Sequence, residues 1–183
     1  MRNASIRMRE LIDGLLEYSR VTTKAGEFEQ VDLREIVNAV LSDLEIALKE
    51  TKGQVNVGSL PIIKADQLQM RQLFQNLIAN GLKFHKDGVP PQIKIESHEI
   101  PNGMVEIKVY DNGIGFDEQF KDQIFLPFRR LVAKDQFKGV GIGLAVCKKV
   151  VLRHHGEITV NSKPGQGTIF TILLPKDKER KTV

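Results

Sequence analysis

Asn76 and Asn80 stand four residues apart, Lys83 follows, and two glycine clusters come later: Asp111-Asn112-Gly113-Ile114-Gly115-Phe116 and Gly139-Val140-Gly141-Ile142-Gly143-Leu144. On a helix the i, i+4 spacing puts both amides on one face. An amide carbonyl is a neutral oxygen ligand suited to Mg2+, an ion that keeps waters and phosphates as its other ligands. Lys83, near the same face, can meet phosphate charge. Asp111 ends a strand, and a carboxylate there can accept a hydrogen bond from an exocyclic amine, which selects adenine over guanine. Gly113 and Gly115 allow the backbone to turn and approach a ligand closely, because no Cβ intervenes. Gly139, Gly141 and Gly143 end a loop and open a helix, whose free N–H groups and partial positive charge suit phosphates. Val140 and Ile142 are expected to point away from the ligand. The second cluster is neither a dinucleotide fingerprint nor a P-loop, since it lacks the strand-helix-acid unit of the one and the GK[ST] of the other. Taken singly, the first cluster reads as a tight turn with a capping Asp and the two amides as a solvated stripe. Taken together and in this order, they describe a backbone-lined pocket for a nucleotide and its metal.

Several elements must position these groups. Residues 1–25 form an amphipathic helix in which Met8, Leu11, Ile12 and Leu15 follow i, i+3, i+4, i+7, with Leu16 and Ser19 extending the stripe and Gly26 as C-cap. Arg7, Arg9, Glu10, Asp13, Glu17 and Arg20 cover the other face. The stripe needs a partner helix, expected in another molecule or outside this chain. Val31–Leu33 reads as a strand, Asp32 as an N-cap with Glu35 completing a capping box, and a single helix from there runs through Leu48 towards Gly53. Gln54–Val57 is a strand, and Leu60–Ala65 a strand or loop. A long helix over 66–84 carries the two asparagines and buries Leu68, Leu73, Leu77, Ile78 and Leu82. The alternation in 93–96 and 105–110 marks antiparallel strands turned at Pro101-Asn102-Gly103. A loop covers 117–138, a helix 143–154, and a second hairpin, turned at Pro164–Gly167, closes the sheet. The expected fold is an α/β (α+β) sandwich, a mixed and mainly antiparallel sheet with helices on one face, preceded by one long helix.

Bulk composition narrows the function. A chain of 183 residues that is 41% hydrophobic and 27% charged is an ordinary globular sequence with one good core and a small appendage. It holds no apolar run near the roughly 18 residues that span a bilayer, and no signal peptide opens it. A single cysteine, Cys147, sits in a helical apolar pattern and reads as a core residue. The net charge of +4 owes part to the end Lys176-Asp177-Lys178-Glu179-Arg180-Lys181. No basic patch with interleaved aromatics points to nucleic acid.

With these residues assembled, the chain resembles the catalytic core of a bacterial sensor histidine kinase, of the ATPase superfamily shared with gyrase, Hsp90 and MutL. The resemblance rests on Asn76-Leu77-Ile78-Ala79-Asn80-Gly81-Leu82-Lys83-Phe84, DNGIGF at 111–116, Ile124-Phe125-Leu126-Pro127-Phe128, GVGIGL at 139–144 and Gly165-Gln166-Gly167-Thr168. The run from Phe128-Arg129-Arg130-Leu131 through Cys147-Lys148-Lys149 is similar to phytochrome-type kinases. The resemblance implies ATP and Mg2+ as cofactors. Asp111 would bind the adenine amino group with Thr168 nearby and Phe84 beside the base. Asn80 would hold Mg2+ with Asn76 close by, and Lys83, Arg129 or Arg130 would contact phosphates or ribose. Gly113, Gly115, Gly139, Gly141, Gly143 and Leu144 would line the nucleotide. Residues 117–138 would be a lid anchored by Phe125 and Phe128, mobile until nucleotide binds.

It also implies a division into residues 1–27, the second helix of a dimerisation and phosphotransfer hairpin, 28–176, the ATP-binding catalytic domain, and a flexible tail, 177–183. The activity implied is protein histidine kinase in a two-component system, with Asn76 and Lys83 as catalytic groups. Partners would be an acceptor histidine helix of the same or the other subunit, a response regulator receiver domain and a second copy, in the cytoplasm. None of the four histidines, His85, His98, His154 and His155, has the acceptor pattern, so the acceptor is expected outside this chain. Hydrolases of the superfamily resemble the chain but carry a water-activating Glu one turn before the metal Asn. Here that position is Asn76, whose amide cannot take a proton at neutral pH. An ATPase, an anti-sigma serine kinase and a nucleotide-binding pseudokinase or interaction module are the alternatives. Two departures from the family pattern stand out: Gly81 in place of Ala, a mild weakening of a helix, and His155 in place of a second Gly, which should alter a turn.

Overall fold

The computed structural model describes residues 2–131, 137 and 139–177, with side chains from Met8 onward. Its elements are α1 (Arg2–Thr23), β1 (Glu29–Asp32), α2 (Leu33–Asp43), α3 (Glu45–Thr51), β2 (Gln54–Val57), β3 (Ile62–Ala65), α4 (Gln67–Lys83), β4 (Gln92–Ile100), β5 (Met104–Asp111), α5 (Gly143–Arg153), β6 (Glu157–Lys163) and β7 (Gly167–Pro175). The expected tail from 178 on, and residues 132–136 and 138 of the expected lid, lie outside the described residues.

Period-2 patterning builds the main sheet. Ile93 and Ile95 of β4, Val105, Ile107 and Val109 of β5, and Phe170, Ile172 and Leu174 of β7 all point to one face and are buried there. Their neighbours Lys94, Glu96, Glu106, Lys108 and Tyr110 face the other side, where Lys94 pairs with Glu96, Lys108 with Glu106, and the Tyr110 hydroxyl donates to Glu96 at 2.7 Å. The strand order is β2-β4-β5-β7-β6, antiparallel except for the parallel β2–β4 pair. Helices α2, α4 and α5 cover the apolar face. In α4, Met70, Leu73, Phe74, Leu77, Ile78 and Leu82 form the buried stripe that a 3.6-residue period dictates. Asp66 caps this helix by accepting from the Gln69 N–H at 3.2 Å.

Four details differ from the sequence expectation. The helix after Asp32 is two helices, broken at Leu44, and Asp32 caps the first of them by accepting from Arg34 N at 2.8 Å. Strands β1 and β3 pair with each other as a separate two-stranded sheet and do not join the main one. Leu68 is exposed, because Met70 and Leu73 take the core-facing positions of α4. Gly26 is no C-cap: α1 ends at Thr23, and the Gly26 N–H donates to Asp66 Oδ2 at 2.7 Å.

This last bond belongs to an anchor that fixes α1 on the body. The Arg153 guanidinium donates to Gly26 O at 2.8 Å and to Asp66 Oδ2 at 3.1 Å, and lies 4.7 Å from the Phe28 ring centre. Phe28 in turn stacks on His154 at 4.5 Å. Further along α1, Gln69 Nε2 donates to Val21 O at 2.8 Å and Lys149 Nζ to Tyr18 O at 2.9 Å. Helix α1 therefore does have a partner within the chain. It docks through Gly14, Glu17, Tyr18 and Val21, while the apolar stripe of Met8, Leu11, Ile12, Leu15 and Leu16 stays exposed.

Candidate functional site

A cavity of about 530 Å3 opens where the C-terminal half of α4, the end of β5 and the loop entering α5 meet. Asn76, Asn80, Lys83 and Phe84 reach it from α4 and its C-cap; Asp111, Gly115 and Thr168 from the β5 and β7 ends; Arg129, Arg130, Gly139, Gly141, Gly143 and Leu144 from the last stretch. Antiparallel pairing sets Asp111 directly opposite Thr168. Helix α4 can lie this close to the sheet because position 81 is glycine: a Cβ there would sit 2.8 Å from Ile93 and 3.4 Å from Asp111 Cβ. The residue expected only to weaken the helix has a packing reason.

Two close approaches shape the end that holds Asp111. Gly115 has φ +61°, and a Cβ on it would fall 2.0 Å from Lys163 O. Gly167, at φ +89°, would meet Asp111 O at the same distance. The turns are then tied together by Ser162, a buried hydroxyl that donates to Gly167 O at 2.8 Å and accepts from Phe116 N at 3.0 Å. Burial pushes the Asp111 carboxyl up to about 6 from its ordinary 3.8, and hydrogen bonds from the Gly113 and Thr168 backbone hold it from going higher. Gly113 serves here as a support: its N–H donates to Asp111 Oδ1 at 2.9 Å, and it does not itself line the cavity.

The other end is polar and cationic. Gly143 opens α5 against Asn76, where a Cβ would fall 2.8 Å from the Asn76 Oδ1. The helix N-terminus and the amide thus face the same space. The Lys83 ammonium lies 4.5 Å from the Phe84 ring centre and against the glycine loop, where a Gly139 Cβ would fall 2.9 Å from it. Burial first, and the neighbouring Arg130 charge second, lower the Lys83 pKa. Arg130 donates to Gly139 O at 2.7 Å and Arg129 to Gln123 Oε1 at 2.6 Å. Among the described residues no cluster of three His, Cys, Asp or Glu could hold a metal on its own. The donor set of amide oxygens beside lysine and arginine fits a Mg2+ that arrives with phosphates as ligands.

Some expectations are placed differently. Val140 and Ile142 do not turn away: both line the cavity, with Ile142 buried as part of its wall. Phe125 and Phe128 do not reach it. Phe125 is buried and meets Phe170 edge-on at 6.5 Å, whereas Phe128 is 44% exposed with φ +62°. The His155 position is, as its glycine-like place required, left-handed at φ +57°. Residues that sequence reading missed include Ser162, Ile124, Phe170 and, from α1, Glu10, Asp13, Gly14 and Glu17, all four of which line the cavity. A glycine in mid-helix, directly after Asp13, was the only sign of the latter.

Residues 65–178 match the family described as histidine kinase-, DNA gyrase B- and HSP90-like ATPase. The phytochrome-like protein Cph1 of Synechocystis sp. is 43% identical over 168 residues, which are 92% of this chain and 22% of that protein. The sensor protein kinase WalK of Staphylococcus haemolyticus is 32% identical over 179 residues, 95% of this chain and 29% of WalK. Full-length ShkA, solved in complex with AMPPNP, superposes with a TM-score of 0.76 at 26% identity over 95% of this chain and 37% of its own. The chain spans 22% to 29% of the length of these two curated relatives.

Proposed function

Because the chain belongs to the histidine kinase-, DNA gyrase B- and HSP90-like ATPase family, we propose that it is the ATP-binding catalytic domain of a two-component sensor histidine kinase. Its reaction is transfer of the ATP γ-phosphoryl group to a histidine on a separate helix. An imidazole nitrogen attacks the γ-phosphorus, the bond to the bridging oxygen breaks, ADP leaves, and the imidazole proton passes to a base beside the acceptor. The observation that carries the kinase reading is Asn76, an amide facing the α5 N-terminus where a hydrolase would need a carboxylate to activate water.

In this reading the chain mostly binds and orients. Asp111 accepts from the adenine amino group, with Thr168 beside it and Phe84 near the base. Lys83, Arg129 and Arg130 balance phosphate charge, and the backbone N–H groups from Gly139 to Gly143 add to it. Asn80, with Asn76 close by, would hold a Mg2+, which when bound supplies charge neutralisation to the leaving phosphates. Helix α1 is the second helix of the acceptor hairpin, so residues 1–27 and 28–176 are separate functional units. Its exposed stripe takes the first helix and a second copy, and a receiver domain of a response regulator then accepts the phosphoryl group. Among the described residues no helix is long and apolar enough to cross a membrane, and a domain that uses ATP works on the cytoplasmic side.

Calorimetric titration with ATP and Mg2+ tests the reading, with Asn80→Ala and Asp111→Ala alongside. Micromolar binding that both variants lose supports it, and labelled phosphate appearing on a supplied acceptor hairpin completes it. ATP hydrolysis without transfer to any hairpin would overturn the kinase assignment.

A further inference from the structure

Helix α1 does more than hang beside the catalytic body: it forms one wall of the nucleotide cavity, and that wall is acidic. Its register against α4 follows from two bonds. Gln69 of α4 reaches Val21 O, and Gln72 Nε2 donates to Glu17 Oε1 at 2.7 Å. As α4 advances by three residues, α1 retreats by four, so the helices run antiparallel. One further turn at about 3.6 residues each brings Asp13 level with Asn76, and the next brings Glu10 level with Asn80. Glu10, Asp13, Asn76 and Asn80 all line the same cavity. At this level α1 is also held in contact with the second glycine cluster, where a Cβ on the buried Gly14 would come 3.2 Å from Ile142 Cγ2. Glu17 is occupied by Gln72, but neither Glu10 nor Asp13 takes part in an ion pair among the described residues. Both are solvent-exposed.

Resting on the nucleotide reading above, we propose that Glu10 and Asp13 make this pocket selective for nucleotide that carries its divalent cation, and that docking of α1 is what puts that selectivity in place. The cavity lining carries both charges. Lys83 of α4 with Arg129 and Arg130 suits phosphates, while the two carboxylates enter from α1, level with the asparagines of α4. A triphosphate without metal brings its full negative charge towards two carboxylates across a partly wet cleft and is repelled. A divalent cation arriving with the phosphates would supply the positive charge that offsets this repulsion, and the carboxylates would then favour the loaded nucleotide. The second helix of the acceptor hairpin would then report whether the pocket holds a competent, metal-loaded nucleotide.

The test is calorimetric binding of ATP with excess Mg2+ and of ATP in EDTA, to the parent chain, to Glu10→Gln/Asp13→Asn and to Gly14→Leu. The first variant changes only exposed side chains and keeps their size. In the second, the added side chain meets Ile142 and lifts α1 from the cavity with no change of charge. The parent is expected to prefer metal-loaded ATP by about tenfold or more, the order set by a few charge contacts at intermediate screening. In both variants the preference should shrink several-fold, chiefly through tighter binding of metal-free ATP. A preference unchanged in either variant, or equal weakening of both nucleotide forms, overturns the proposal. A parent chain that binds neither form overturns the nucleotide reading itself, which is a different result from binding both forms alike.

Discussion

Desolvation makes a carboxylate unfavourable to ionise, and at the half-buried Asp111 it outweighs the Gly113 and Thr168 hydrogen bonds that favour the charge. Its folded-state value of about 6 lies above the ordinary 3.8. Between those two pH values the folded chain binds more protons than the unfolded one, so the contribution of Asp111 to stability falls as pH rises from 3.8 to about 6 and stays low above. Asp111→Asn keeps the shape and an acceptor for Gly113 N but removes the charge. It is expected to raise the Tm at neutral pH while weakening adenine nucleotide binding by about tenfold or more. For the same reason the parent's affinity should decline as pH drops below about 6, where protonation removes the acceptor. Thermal melts and titrations across pH read both effects, and a stability loss in Asp111→Asn would show that the carboxylate is structural. Glycines offer a second contrast at this scale. Gly115→Ala places a Cβ 2.0 Å from Lys163 O at a positive φ, whereas Gly165→Ala, also at a positive φ, meets nothing within 4 Å. The first should cost about 3 kcal/mol or more and the second about 1 kcal/mol in urea unfolding.

Among the elements, the junction of α1, α4 and α5 is held by polar groups that only tertiary contact brings together. Asp66 is 3% exposed and meets Arg153, the Gly26 N–H and the Gln69 N–H; its own N–H donates to His154 Nε2 at 3.0 Å. Arg153→Ala removes the counter-charge of a buried carboxylate and the donor to Gly26 O. It should cost about 3 kcal/mol and raise hydrogen exchange along the C-terminal half of α1, while an unaltered exchange pattern would mean the anchor does not hold that helix. Burial lowers the pKa of His154, with the Val150 carbonyl opposing and Arg153 adding. A histidine whose folded value is depressed binds fewer protons than in the unfolded chain, so its contribution is lost as pH falls from about 6.5 downward. This is opposite in sign to Asp111, and His154→Asn separates the two. None of this cluster was legible in the sequence, where His154 and Asp66 carry no periodic signal and stand 88 residues apart. The strands and α4 were legible, because alternation and 3.6-residue stripes are dictated by the faces they bury. The break at Leu44 was not: Leu44 continues the apolar pattern across it, and no Gly or Pro marks it.

For the molecule as a whole the decisive feature is that α1 presents two different faces to two different neighbours. Sequence patterning identified the apolar stripe correctly but assigned the helix no partner within the chain, because the face that docks reads as a charged, solvated one. That face is spoken for by Val21 against α4, Tyr18 against α5 and Gly14 against the glycine loop, together with the Gln72–Glu17 bond. The stripe remains open, with Met8 64%, Leu15 54% and Ile12 52% exposed. Apolar surface of this width on one helix is covered in helical bundles by a facing helix, and a row spaced i, i+3, i+4 suits that packing. The chain in solution is therefore expected to self-associate through α1, with mass rising towards a dimer as concentration increases in light scattering. Leu11→Gln/Leu15→Gln should return it to a monomer. The substituted side chains point away from the cavity wall formed by Glu10, Asp13, Gly14 and Glu17, so nucleotide affinity should stay within about twofold of the parent, inside the range of ordinary surface substitutions. A parent chain that is monomeric at all concentrations, with α1 fully protected from exchange, would mean that docking on α5 alone stabilises the helix.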